Sequence, residues 1–481
     1  MSEPKEFVQE IHSRSEDFSE WYVDVVLKAG LADYAPVRGC MAYRPYGYAI
    51  WEAIMSELDR RFKESGVQNA YFPLLIPQSI FMKEAEHIEG FAPEVPWVTR
   101  VGQEELPEPY VIRPTSETII GTMFARWIES YRDLPMVLNQ WCSVIRWEKA
   151  TRPFLRTTEF LWQEGHSAHR SEEDARERTM RMLHVYRDFV QEVLAIPVIA
   201  GRKSEHEKFA GAVDTYSLEA LMGDGRALQA ATSHYLGQGF ARVLGIQFLD
   251  DDGQLKFVHQ TSFGASHRLI GAVIMVHGDD RGLVLPPRIA PTQVVIVPIA
   301  PQARREDVWS HARSLAAELG PVARVHLDDR EEYSPGWKFN EWELKGVPVR
   351  LEIGPRDIER DQVTMVRRDT LLKEPVARAD LGRVLPSILD DIQASLFRRA
   401  GEFLASHTYH PHDYDEMTRV LEERAGFVVA GWCGDPGCEA AVKAETGATI
   451  RCLPLDQGAV SGTCIKCGRP ATVQAYFARA Y

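Results

Sequence analysis

The sequence predicts a protein of several domains with mixed α and β structure. Three observations carry that prediction. The chain has 481 residues, enough for two to four domains. Residues 140–163 read as a hairpin with a long cationic tip: an aromatic and β-branched run over 141–147, a break at Thr151-Arg152-Pro153, and a second run over 156–163. Strand, helix and strand then alternate over 293–353, the order of a small α/β unit.

Composition narrows the class. Hydrophobic residues make up 45% and charged residues 26%, as in ordinary globular proteins. No apolar run in the sequence is long enough to cross a membrane. Positions 1–17 are charged and lack an apolar signal region. Both features lead us to expect a cytoplasmic protein. The net charge of −14 disfavours non-specific attachment to nucleic acid, so an RNA partner would need local patches and specific contacts.

Taken in order, 18–29 reads as a short helix ended by Gly30. A longer helix follows over 46–65, where Ile50, Ile54, Leu58 and Phe62 recur every four residues and form one apolar stripe. Gly66 ends it, and 69–77 is an extended apolar run with Pro73, a residue tolerated mainly at sheet edges. Thr115-Ser116-Glu117 opens another helix, with Thr115 or Ser116 as the cap. Glu117 has two readings: a first-turn acid favoured by the helix dipole, or an anion that receives a substrate ammonium. Residues 172–195 form a charged amphipathic helix, expected as a solvated outer layer. Residues 201–212 are polar and flanked by glycine, either a loop over a site or a plain connector. The stretch 229–240 sets His234 among small residues. Residues 260–268 are extended and lead into an apolar helix over 269–276, where a helix N-terminus beside Arg268 suits an anion. Pro286-Pro287 close this part of the chain.

The hairpin carries the clearest chemistry. Arg146 and Glu148 are two apart on a strand and share a face. An arginine held there can grip a phosphate through two hydrogen bonds. Loop arginines can hold outer phosphates, and Phe160 can offer its ring to a base. Near the C-terminus, Cys433-x4-Cys438 and Cys464-x2-Cys467 are two close pairs separated by 25 residues, a strong pattern for four-thiolate zinc binding. Two disulfides would conflict with a cytoplasmic location. Cys452 falls outside both pairs and reads as a small buried residue.

Arg146-x-Glu148, loop, Arg156-x-x-x-Phe160 resembles motif 2 of the class II aminoacyl-tRNA synthetases. The helix 46–65 with the run 69–77 resembles motif 1, which builds a dimer interface, and 260–268 resembles motif 3. Arg113-Pro-Thr-Ser-Glu117 is similar to a loop of the prolyl and threonyl enzymes. Residues 333–357 resemble the class IIa anticodon-binding domain. The whole run, from about 17 to 481, resembles prolyl-tRNA synthetases of the archaeal and eukaryotic-like type. One departure is that Phe263 and Ser266 stand where some relatives have Trp and Thr.

The resemblance implies an α+β catalytic domain on an antiparallel sheet, the class II synthetase fold, over 1–287. An α/β anticodon-binding domain over 288–398 and a small zinc-binding α+β domain over 399–481 would follow. It implies activation of L-proline by ATP with magnesium, transfer to the proline tRNA, and a homodimer. It makes Arg146, Glu148 and Arg268 catalytic. Thr115, Glu117, Arg146, Trp162 and His234 would form the proline pocket. Arg146, Glu148, Arg156, Thr157, Phe160, Gln229, Thr232, Ser266 and Arg268 would hold ATP. Glu343, Arg350 and Arg356 would read the anticodon. Cys433, Cys438, Cys464 and Cys467 would bind structural zinc, and Tyr481 would return towards the active site. The segment 350–383 has eight basic and seven acidic residues, so RNA would be read by shape and base edge.

Two rivals weaken on the same residues. A catalytically silent RNA-binding paralogue would not need Arg146, Glu148 and Arg268 together. A threonine enzyme would need a metal in its pocket, and no cysteine stands beside His234. Only about 100 residues separate His166 from Arg268, too few for an inserted hydrolytic domain. Discrimination against cysteine and alanine would then rest on the pocket, where each missing methylene is worth only about 1–3 kcal/mol.

Overall fold

One sheet of eleven strands runs through the first and last parts of the chain. The structure is a computed structural model and describes residues 11–87, 94–457 and 460–481. From the C-terminal edge inwards, the strands are Thr408–Tyr409, Phe427–Trp432, Val473–Ala478, Thr449–Pro454, Val198–Arg202, Asp214–Leu221, Ala227–Gly237, His259–Ser266, Glu159–His169, Met136–Ile145 and Gln68–Asn69. All neighbours pair antiparallel except at the two edges, where the last pair is parallel.

The core face of this sheet is closed by helices. The stripe on helix Pro45–Glu64 buries Ile50, Ile54, Leu58 and Phe62, as the four-residue spacing predicts. Asp17 caps helix Phe18–Lys28 through Ser19 N and Glu20 N. Helix Glu172–Glu192 buries Met182, Leu183, Tyr186, Phe189 and Val190. It therefore corrects the expected solvated layer: only one face is solvated, and the other packs on the strands. Tyr186 meets Phe62 edge-on at 5.6 Å, and Phe263 lies 5.6 Å from Phe62. Gly165 leaves room for the Phe263 ring, since a Cβ there would lie 2.0 Å from it.

The second unit is a five-stranded sheet in the order Val325–Leu327, Val294–Pro298, Val349–Ile353, Gln362–Arg367, Lys373–Ala377. Its first three strands pair parallel and the last two antiparallel. The sequence reading found the parallel three. It missed the final hairpin, whose strands are short, the second opening on two charges and a proline. Helix Arg378–Ser406 runs unbroken across position 398, so no linker separates the second unit from the third. Arg368 clamps Asp279 with two hydrogen bonds of 2.7 and 2.6 Å, tying this unit to the first.

Strand ends also shift. The hairpin strands are Met136–Ile145 and Glu159–His169. Arg146 is the first residue past its strand, held by its N–H on the Thr158 carbonyl. Ser116 is the cap residue of helix Glu117–Trp127, yet its hydroxyl makes no cap bond. That hydroxyl donates to Glu164 instead. Among the described residues no helix is long and apolar enough to cross a membrane. Residues 1–10 of the charged N-terminal stretch lie outside the described residues.

Candidate functional site

Alternation along Glu159–His169 points Trp162, Glu164 and His166 to one face of the sheet. The neighbouring strands add Thr232 and His234, and Ser262, Gly264 and Ser266, by the same rule. With Pro114, Thr115 and Glu117, all of these residues except Ser266 line a cleft of about 470 Å³. A second compartment of about 90 Å³ opens beside it, reaching Phe160, Ser266 and Arg268. Arg146, Trp162, Gln229, Thr232 and Gly264 line both.

The larger compartment is built around buried acids. Thr115 Oγ1 donates to Glu117 Oε2. Glu164 accepts from the Ser116 hydroxyl and N–H, from Gln140 Nε2 at 2.7 Å, and meets His166 Nε2 at 3.3 Å. Burial alone would raise the Glu164 carboxyl, but the bonds from His166, Ser116 and Gln140 win and hold it below its ordinary range. Burial likewise opposes the His166 charge, but the Glu164 hydrogen bond and the nearby Glu117 lift the imidazole above its ordinary value. His234 goes the other way. Burial, helped by the charge on His166, pushes it down to about 3. Two histidines of one wall are thus shifted in opposite directions, His234 down and His166 up. The ligand atoms of Glu117, Glu164 and His166 lie within 4.8 Å of one another. Glu164 is already taken up by three neighbours, Ser116, Gln140 and His166.

Trp162 lies across the next strand, where a Cβ on Gly264 would come within 2.6 Å of the indole. Among the described residues, buried Trp162 Nε1 and Ser262 Oγ have no hydrogen-bond partner. Both residues line the larger compartment. Buried polar groups are normally bonded, so these two atoms leave hydrogen-bonding capacity unused beside the cleft.

Arg146 stands at the seam of the compartments. Its Nε donates to the Pro114 carbonyl at 3.0 Å, and its guanidinium lies 5.4 Å from the Phe160 ring and 5.7 Å from Trp162. Arg268 opens helix Arg268–His277 and donates to the Leu155 carbonyl at 3.1 Å. Burial, then the charges of Arg156 and Arg146, pull Arg268 down to about 10. Three arginines crowding one another suit a polyanion. Arg156 lies 3.8 Å from Glu148. Thr157 is buried, with its hydroxyl turned to the Glu159 carbonyl at 2.7 Å.

The remaining expected residues fall elsewhere. Arg350 is buried and bonded to Glu343 at 2.8 Å and to Glu352 at 3.1 Å. Arg356 is exposed on the short helix Pro355–Glu359, beyond the far end of strand Val349–Ile353. All seven cysteines are free. The sulfurs of Cys433, Cys438, Cys464 and Cys467 lie within 4.8 Å of one another, while Cys452 is fully buried in strand Thr449–Pro454. Four convergent thiols match the donor set of a closed zinc site. Arg469, bonded to Cys467 Sγ at 3.3 Å, draws that thiol below its ordinary range and favours thiolate. The Tyr481 ring lies 5.4 Å from Arg152 in the hairpin loop, and its hydroxyl bonds Asp224 at 2.5 Å.

Sequence reasoning missed Glu164, His166, Ser262 and Phe209 as parts of the wall. The available signal was a polar residue at every second position of a strand. Phe209 carried no such signal, since its place against His234, 4.9 Å between rings, depends on the path of a loop.

Comparisons with known proteins bear on this site. A family model for the tRNA synthetase class II core domain (G, H, P, S and T) matches residues 97–277. An anticodon binding domain model matches 293–388, and one for the prolyl-tRNA synthetase C-terminal part matches 414–481. A proline–tRNA ligase of Natranaerobius thermophilus is 57% identical over 99% of both chains. One of Symbiobacterium thermophilum is 57% identical over the full length of both. The crystal structure of prolyl-tRNA synthetase from Cryptosporidium parvum, complexed with halofuginone and AMPPNP, superposes with a TM-score of 0.93. That pair is 41% identical, covering 98% of this chain and 100% of the other.

The His166–Glu164 pair has a pH signature. A raised histidine stabilises the fold below its ordinary 6.5 and loses that contribution as pH rises through its folded value. A depressed carboxyl stabilises above 4.5 and loses that contribution as pH falls through its folded value. Ring NMR should show His166 titrating above 6.5, and Glu164→Gln should move it down. An unchanged titration in the variant would contradict the pair.

Proposed function

The chain belongs to the prolyl-tRNA synthetases, class II enzymes that use ATP to join L-proline to tRNA, and we propose that its two compartments divide the substrates at Arg146. The larger compartment takes proline and the smaller one takes phosphate groups of ATP, which arrives as its magnesium complex. The observation that carries this reading is the place of Arg146, which lines both. There a single guanidinium reaches the amino-acid carboxylate and the α-phosphate together.

In the first step the proline carboxylate attacks the α-phosphorus and pyrophosphate leaves. Glu117, braced by Thr115, receives the ammonium. Trp162 and His234 wall the ring. Arg156, Gln229, Thr232, Ser266 and Arg268 hold the phosphates, while Glu148, Phe160 and the backbone at Thr157 hold the nucleoside. In the second step a terminal ribose hydroxyl of the tRNA attacks the activated carbonyl and AMP leaves. Catalysis is then mainly positioning and charge stabilisation. Three units, 1–287, 288–398 and 399–481, divide the work, the last two joined by a continuous helix. Free thiols throughout suit a reducing, cytoplasmic setting.

Zinc at the four cysteines would hold the third unit together without an open position for chemistry. Exposed Tyr71, Leu74, Leu75 and Trp97, on and beside the expected dimer-forming stretch, support a second copy of the chain as partner. Arg350 is committed to Glu343 and Glu352, so Arg356 is the better candidate for direct base contact.

Three outcomes follow. Proline-dependent ATP–pyrophosphate exchange should be present, and Arg146→Ala should lower it by on the order of 10²–10³ in a folded protein. Wild-type exchange in that variant would remove Arg146 from its role. Native mass spectrometry should find a dimer with one zinc per chain, retained in Cys452→Ser and lost in Cys433→Ser; a metal-free monomer would overturn both assignments. Arg356→Ala should weaken tRNA charging by about 1–3 kcal/mol and leave exchange intact, whereas equal loss in both assays would exclude anticodon reading.

A further inference from the structure

One wall of the larger compartment is the loop 203–211, which contributes Glu207, Lys208, Phe209 and Ala210. Its inner end is tied to the catalytic sheet. Phe209 N donates to Thr215 Oγ1 at 3.0 Å, and the same oxygen lies 2.9 Å from His234 Nδ1. Its outer end is held by the C-terminal unit.

That hold has three parts. Strand Thr449–Pro454 pairs antiparallel with Val198–Arg202, Leu453 opposite Arg202 and Pro454 opposite Gly201. Gly201 permits this approach, because a Cβ there would lie 2.6 Å from the Leu453 carbonyl. Next, Lys203 Nζ donates to Glu219 at 2.8 Å and to the Arg451 carbonyl at 2.7 Å, while Arg451 donates twice to Glu219, at 3.0 and 2.9 Å. All three side chains are buried. Finally, Ser204 Oγ donates to Glu439 Oε1 at 2.7 Å, again between buried residues. Ser204 in turn receives the Glu207 N–H, and Lys443 lies 3.7 Å from Glu207. Glu439 and Lys443 lie on helix Pro436–Thr446, and Glu439 directly follows Cys438.

We propose that Glu439 is a positioning residue for the amino-acid pocket: through Ser204 it fixes the loop 203–211, so the C-terminal unit sets affinity for the amino acid and not for the nucleotide. The inference rests on the reading of the larger compartment as the proline site. The geometry separates the two substrates. The loop residues Glu207, Lys208, Phe209 and Ala210 line the larger compartment and none of them lines the smaller one. Loosening the loop therefore frees one wall of the proline site and leaves the nucleotide's arginines in place. A wall residue that samples several positions weakens binding because its ordering must be supplied on each encounter.

The test uses the full-length, zinc-loaded enzyme and compares Glu439→Ala, Glu439→Gln and Ser204→Ala. Ser204→Ala acts from the catalytic side, away from the cysteines, and keeps the test independent of any damage to the metal site. Pyrophosphate exchange should show the KM for proline raised about tenfold in Glu439→Ala and Ser204→Ala, with the KM for ATP and kcat within about twofold. Glu439→Gln, which still offers Ser204 an acceptor oxygen, should return the KM for proline to near wild type. Hydrogen exchange at 205–211 should quicken in the two alanine variants. An unchanged KM for proline in Ser204→Ala, or equal rises for proline and ATP, would overturn the proposal. Failure of the underlying site reading would look different: the wild-type enzyme itself would show no proline-dependent exchange.

Discussion

Alternation of side chains across the large sheet is the constraint on which the rest of the molecule depends. Gln163, Ser233 and Phe263 face the helix Glu172–Glu192, bonding or packing against Tyr186 and Thr179. Trp162, Glu164, His166, Thr232, His234 and Ser262 face the cleft. A slip of one residue in any of these strands would exchange the two sets. Charged groups would then enter the core and apolar ones the site. The same ladders that stabilise the fold therefore set the geometry of the reaction, and Arg146 sits one residue past a strand end where its direction is still inherited from the ladder.

The cleft side of the sheet keeps charge away from water at a cost. Glu164 and Glu219 are both buried, and burying carboxylates is unfavourable unless they are paired and hydrogen-bonded. Each is. Glu164 is met by Ser116, Gln140 and His166, and Glu219 by Ser217, Lys203 and Arg451. Such clusters add little net stability. Their use here is placement: Glu164 fixes the turn that presents Glu117, and Glu219 fixes the strand join that leads into the pocket loop. The C-terminal unit is thus part of the catalytic sheet rather than an appendage.

Local patterns were legible in the sequence and long-range pairings were not. The stripe Ile50, Ile54, Leu58 and Phe62, the cysteine pairs, and the turn before Glu117 all lie within short windows, where spacing alone carries the information. The hairpin was legible in kind, but its strands were misplaced by several residues because their ends depend on register with His259–Ser266. Arg350 looked like a surface reader of RNA and is instead buried against two acids, since its partners lie on a helix and on its own strand. Glu219 and Arg451 are 232 residues apart, and no periodicity in either segment announces their contact. The helix 172–192 looked solvated because its charges outnumber the apolar stripe that packs on the sheet.

The central claim is that Arg146 bridges two substrates held in separate compartments of one sheet. A crystal structure of the full-length chain with a non-hydrolysable prolyl-adenylate analogue tests it most directly. The account predicts the proline ring among Trp162, His166 and His234, its ammonium on Glu117, and the phosphate-mimicking group on Arg146. An analogue with its ring outside that wall, or with its central group held by other residues and Arg146 turned away, would contradict it.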